Sequence, residues 1–313
     1  MQYAPGTDEF LARYHEAMPS DFFSRDVEEQ RRLYLHLSDV FPYELPDDIL
    51  IKDREFGHDG RTMRCRTYEP VHRTTSSVIV YFHGGGFVVG SPDSHNSVVA
   101  ELAASTGSIT VAPWFRQAPE HPFPAAPEDC YLALRALADH TEPLDDVDGA
   151  APVLCGDSSG ANLAVSVAMM CRDRGGPHPK GQALIGPVLD FARWFEPAPD
   201  IEFGEEMRYY TRSYCPDGSV VDDPYISPLV RGRFDGLPPA YIMTTEFDPL
   251  SDDAVDYARR LEQHGIPVTL SVEPGLVHAP IRGRSVIPGV ADAWRRYCAS
   301  VADFAHDQGT LPP

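Results

Sequence analysis

The sequence predicts an α/β fold: a mostly parallel central sheet flanked by helices. Three observations carry this expectation. Short, nearly continuous apolar runs such as SSVIVYFH (76–83) and APVLC (151–155) read as strands buried on both faces. Segments of 10–20 residues with helical periodicity stand between them. The two kinds alternate along the chain, as crossover connections between parallel strands require.

The elements follow in order. Phe10, Leu11, Tyr14 and Met18 share one helical face, and Val27, Leu33, Tyr34 and Leu37 suggest a second helix. Pro42 and Pro46 then break the pattern. A helical hairpin packed on the main body and a cap over a site fit residues 1–45 equally well. ILIKDREF (49–56) and TMRCRTYE (62–69) form two strands around a turn at Gly57–Gly60. The strand at 76–83 leads to a helix over 94–106, the strand SITVAP (108–113) and a helix over 125–140. APVLC precedes a helix over 159–174, and QALIGPVL (182–189) is the next strand. Later come AYIMTTE (240–246), a helix over 251–264, PVTLSVE (267–273) and a last helix over 289–307. The terminal LPP is expected to fray.

Residues 190–224 interrupt the alternation with Trp194, Phe195, Phe203, Tyr209, Tyr210 and Tyr214 among acids and prolines. They read either as an insertion at the strand's C-terminal edge, where such folds place their crevices, or as a surface helix.

Charge and cysteine usage exclude several functions. Forty-seven acidic against 26 basic residues give a formal charge of −21, which phosphate backbones and anionic membranes would repel. Neither nucleic acid nor a membrane span is expected, and no run reaches the ~18 apolar residues of a span. The N-terminal residues lack the basic-then-apolar pattern of a secretory signal. Cys65, Cys130, Cys155, Cys171, Cys215 and Cys298 are scattered without a C-x-x-C pair, which suits reduced cytoplasmic thiols and no metal site.

The strongest chemical motif is VLCGDSSGANLA. Gly156, Ser158 and Gly160 fit G-x-S-x-G, a strand-to-helix elbow that presents a serine on a strained backbone. A glycine-rich turn whose serines cap the helix is the competing reading. His83-Gly84-Gly85-Gly86 follows the strand at 76–83 and can aim backbone N–H groups at a substrate. A phosphate loop is excluded because Val89 stands where G-x-G-x-x-G needs its last glycine.

With such an elbow, the partners run serine, acid, histidine. Of the histidines past residue 189, His264 sits at a helix C-terminus and His306 near the tail. His278 follows a strand in a loop with Gly275 and Pro280. Among Glu246, Asp248, Asp252 and Asp253, Asp248 stands just past its strand, although Asp before Pro249 also suits a helix cap. Asp252 falls in the first helical turn, where it compensates the dipole or braces the loop.

HGGGF (83–87), FRQAPEHPFPAA (115–126), GDSSGANLA (156–164) and DPLSD (248–252) with His278 resemble, in order, the hormone-sensitive-lipase-like family of α/β-hydrolases, mostly bacterial carboxylesterases. The resemblance implies Ser158 as nucleophile, Asp248 as acid and His278 as base. It also implies an oxyanion hole from the N–H groups of Gly84, Gly85 and Ser159. Residues 1–48 and the insertion 190–224 would form a helical cap on a catalytic domain of 49–189 and 225–313. The expected activity is hydrolysis of short-chain acyl esters by water, without metal or cofactor. Hydrolysis of amides, lactones or carbonates, or ligand binding without catalysis, are the alternatives, and pairing as a homodimer stays open. The chain departs from the family at Phe115, Gln117, Ser159, Ala161, Ala279 and Pro280. Pro280 is expected to hold Ala279 extended.

Overall fold

The computed structural model describes residues 2–306 apart from 145, 148, 150 and 196–201. Eight strands form one sheet in the order β1-β2-β4-β3-β5-β6-β7-β8. The hairpin β1 (Ile49–His58) and β2 (Arg61–Pro70) is antiparallel, and β2 adds antiparallel to β4 (Ile109–Pro113). From β4 onward through β3 (Val78–Phe82), β5 (Val153–Asp157), β6 (Gly181–Ile185), β7 (Ala240–Phe247) and β8 (Val268–Val277) every pair is parallel.

Alternation along the strands builds two cores. Val78, Val80 and Phe82 of β3 and Leu154 of β5 face one side, with α4 (Ala125–Ala138), α5 (Ser159–Arg174) and α9 (Ser251–Gln263). Ile79, Tyr81, Val153 and Cys155 face the other, with α3 (Asn96–Thr106) and α10 (Pro288–His306). Burial on both faces explains why β3 and β5 lack polar alternation.

The chain leaves β3 toward β4 on one flank, while β5 lies on the other flank, with Phe82 opposite Gly156. The loops after β3 and β5 therefore meet where strand order reverses, the place a doubly wound sheet opens a crevice.

Over this end lie α1 (Thr7–Ala17) and α2 (Val27–Val40), then α6 (Ala192–Phe195) and α7 (Glu202–Tyr214) from the insertion. A short α8 (Pro228–Arg231) leads back to the sheet. Phe23 packs against Tyr209 and Tyr210 at 5.2 and 5.6 Å, and Tyr209 Oη donates to Gln30 Oε1 at 2.9 Å. Residues 196–201 of the insertion and the terminal LPP lie outside the described residues.

Two strand boundaries differ from expectation. β6 stops at Ile185 because Gly186 turns with φ 50°, so Pro187–Leu189 is not strand. β8 runs on to Val277, the residue before His278. Helix α9 starts at Ser251, where the expected helix starts, and Pro249 lies before its first turn. All six cysteines are buried with free thiols, and no helix among the described residues is long and apolar enough to cross a membrane.

Candidate active site

Ser158 stands between β5 and α5 with φ 52° and ψ −117°, the strained backbone of a sharp elbow. The glycines around it are steric necessities. A Cβ on Gly160 would strike the Phe82 and His83 carbonyls, and one on Gly156 would strike the Gly160 backbone. Ser158 N–H donates to the Ile185 carbonyl at 2.8 Å, tying the elbow to β6.

His278 Nε2 lies 3.1 Å from Ser158 Oγ, and His278 Nδ1 lies 2.8 Å from Asp248 Oδ2. An ionised carboxylate only accepts, so Nδ1 carries the proton and Nε2 is left to accept from the serine. Asp248 Oδ1 accepts from Leu250 N–H at 2.8 Å, so the helix-entry role weighed in the sequence coexists with the contact to His278. Burial alone would lower the His278 pKa; the Asp248 carboxylate overrides this, with Glu206 and Asp157 adding to it, and the net shift is upward.

The other candidates stay apart. His264 Nδ1 caps the Arg260 carbonyl at 2.8 Å, and His306 contacts the Thr106 carbonyl at 3.2 Å. Asp252 is exposed in the first turn of α9. Its neighbour Asp253 does the bracing, accepting from Leu189 and Asp190 N–H at 2.7 and 3.0 Å and pairing with Arg193 at 3.2 Å. Burial pushes Asp253 up to about 7.

The glycine loop corrects one expectation. Gly84 N–H is already used, donating to Asp157 Oδ1 at 3.0 Å. The next two amides point elsewhere, because C=O and N–H of a trans peptide face opposite ways. The Gly84 carbonyl faces His83 Nδ1 at 2.9 Å, which turns Gly85 N–H the other way. The Gly85 carbonyl accepts from Val88 and Val89 N–H, which does the same for Gly86 N–H. Neither amide donates to a protein acceptor among the described residues. Gly85 and Gly86, rather than Gly84 and Gly85, are the loop's free donors, joined by Ser159 N–H at the start of α5.

The departures from the family pattern have visible contacts. Phe115 stacks on His83 with centroids 4.4 Å apart, and Gln117 Nε2 donates to the Val89 and Gly90 carbonyls at 2.9 and 3.0 Å. Ser159 Oγ accepts from Phe87 N–H at 3.4 Å, a long contact across to the glycine loop. Ala279 is not extended but left-handed, φ 52° and ψ 47°. A 3₁₀ turn from Pro280 to Ser285 reverses the chain directly after β8, and this requires the sharp bend at Ala279.

Aromatic side chains close the site. Phe203 meets the His278 ring, Phe87 stacks on Tyr214 with centroids 3.8 Å apart, and the Tyr210 ring lies against Gly86. Two surface clefts of about 450 and 550 Å³ lie elsewhere, beside α9 and on α7, and neither is lined by Ser158, Asp248 or His278.

Comparison with known proteins agrees with this fold. A family model described as alpha/beta hydrolase fold matches residues 79–282. The chain belongs to the α/β-hydrolase family. Carboxylesterase NlhH of Mycobacterium tuberculosis is 34% identical, over 96% of this chain and 97% of that protein. The ethyl acetate hydrolase of Pseudomonas putida is 32% identical, over 84% and 85%. A hyperthermophilic esterase from the archaeon Pyrobaculum calidifontis superposes with a TM-score of 0.85 at 30% identity, covering 97% of this chain and 99% of that one. The resemblance to the hormone-sensitive-lipase-like branch therefore holds along this α/β-hydrolase chain, including its eight-stranded sheet.

The motifs point to Ser158, His278 and Asp248 in the sequence, and the structure brings these three side chains together. Asp157 and Gly86 were missed. Asp157 occupies the variable position of G-x-S-x-G, and only its contact with Gly84, 73 residues away, reveals it.

Proposed function

We propose that this chain is a serine carboxylesterase acting on short-chain acyl esters. Ser158 is the nucleophile, His278 the general base and Asp248 the residue that orients it. The hydrogen-bond chain from Ser158 through His278 to Asp248, 3.1 and 2.8 Å long, carries the reading. The esterase names of the similar proteins support it, and the ethyl acetate hydrolase among them supports a small acyl group.

As Ser158 Oγ attacks the ester carbonyl, its proton passes to His278 Nε2, and Asp248 stabilises the imidazolium that forms. The carbonyl oxygen becomes an oxyanion held by the N–H groups of Gly85, Gly86 and Ser159, fixed donors that need no reorganisation. Collapse of this intermediate expels the alcohol, which takes the proton from His278. Water, deprotonated by His278, then attacks the acyl-serine and releases the acid. Residues 1–48 and 190–224 act as the cap, and its aromatic side chains limit the acyl group.

Turnover of p-nitrophenyl esters from acetate to palmitate tests this. The expected profile peaks at short chains and disappears in Ser158→Ala. Faster turnover of palmitate than butyrate contradicts the substrate class, and preference for amides or lactones contradicts the ester reading.

A further inference from the structure

In contact with the glycine loop lies a second serine–histidine–aspartate chain. Ser94 Oγ is 2.9 Å from His95 Nδ1, and His95 Nε2 is 3.5 Å from Asp157 Oδ2. It is not a second nucleophile. Ser94, His95 and Asp157 are all buried, and the Ser94 hydroxyl is bonded to Ser91. Its role lies at the other carboxylate oxygen. Asp157 Oδ1 accepts from Tyr81 Oη at 2.8 Å and from Gly84 N–H at 3.0 Å.

We propose that Asp157 is the positioning residue of the oxyanion loop: by holding Gly84 N–H inward, it aims the N–H groups of Gly85 and Gly86 at the ester carbonyl. The proposal rests on the serine-esterase reading above. Its first support is place in the chain. Asp157 precedes Ser158 at the end of β5, and β3 pairs with β5 up to Phe82 and Gly156. One carboxylate thus sets the distance between the nucleophile and the donors of its oxyanion. The second support is the loop itself. Gly85 and Gly86 have φ 120° and 60°, conformations with no side chain to restrict them, so the loop needs an external anchor. The third is rigidity at the anchor. Burial alone would raise the Asp157 pKa, but His95, the Tyr81 hydroxyl and Arg282 hold it down at about 2, so it stays an ionised acceptor.

The test compares Asp157→Ala, Asp157→Asn and Ser158→Ala with the unaltered protein on p-nitrophenyl butyrate. Active sites are counted with a fluorophosphonate, so that kcat is expressed per competent site. A merely structural role lowers the number of sites and leaves the rate per site unchanged. A positioning role lowers the rate per site and leaves KM within about threefold. For Asp157→Ala the expected fall in kcat per site is about 10²-fold, the scale of a lost oxyanion donor. Asp157→Asn keeps an oxygen acceptor but a weaker one, so its expected fall is about tenfold. Where Asp157→Ala does not fold, Asp157→Asn decides. An unchanged kcat per site in either folded variant, with Ser158→Ala inactive, overturns the proposal alone. A fully active Ser158→Ala overturns the serine-esterase reading and this proposal with it.

Discussion

Phe203 of the insertion stands edge-on to His278 of the sheet domain, the ring centroids 5.5 Å apart and the planes at 70°. An aromatic of the insertion thus forms part of the wall around the candidate base. The contact links a segment outside the α/β alternation to the chemistry at the sheet's end.

This contact bears on acyl length. Phe203→Ala should raise the turnover of hexanoate relative to acetate esters by about tenfold, the low end of what a methylene-scale change in a pocket is worth. Steady-state rates on the two esters check this. An unchanged ratio would place the acyl group elsewhere.

Activity should depend on one ionisation in the neutral range, with the deprotonated imidazole active. The His278 pKa is raised above the ordinary value of about 6.5, so the acid limb of kcat/KM should lie above that value. The sign follows from the partner. Below the raised value Nε2 is protonated and cannot accept the serine proton. Replacing Asp248 by Asn removes the charge that raises it, so the limb should move to lower pH. A limb that moves upward or stays put contradicts the assignment.

The carboxylates should separate clearly. Asp248→Asn should cost about 10⁴-fold in kcat, as expected when the imidazole loses the partner that fixes its tautomer. Asp252→Asn and His264→Ala should change kcat little, since both side chains are exposed and far from Ser158 in the hydrogen-bond pattern. Steady-state kinetics on folded variants decides, and the reverse order of the two aspartates would show the wrong carboxylate was chosen.

Much of this site was legible in the sequence because its information is local. The elbow needs Gly156 and Gly160 within two residues of Ser158, and chain order leaves three histidines, of which His278 alone follows a strand in a loop. The proposed oxyanion donors are less legible. Gly84, Gly85 and Gly86 look alike in sequence, and which amides remain free depends on Asp157, which only folding brings to Gly84. The backbone at Ala279 departs from its local expectation for a related reason. Local sterics favour an extended residue before proline, but the chain must reverse there to enter the turn at Pro280.

Ser159 should matter little through its hydroxyl. The Phe87 contact is 3.4 Å long, and Ser159→Ala keeps the backbone N–H. The expected loss in kcat is below about tenfold, well short of the ~10²–10³ of a missing oxyanion donor. A folded but inactive Ser159→Ala would show that the elbow is read in the wrong register.

The most direct measurement is the site of covalent labelling. Treating the protein with a fluorophosphonate and mapping the adduct by mass spectrometry should find it on Ser158 alone, with activity lost in proportion to labelling. Ser158→Ala and His278→Ala should remain folded and unlabelled. An adduct on Ser159, or full activity after Ser158 is modified, would contradict the assignment of Ser158 as the nucleophile.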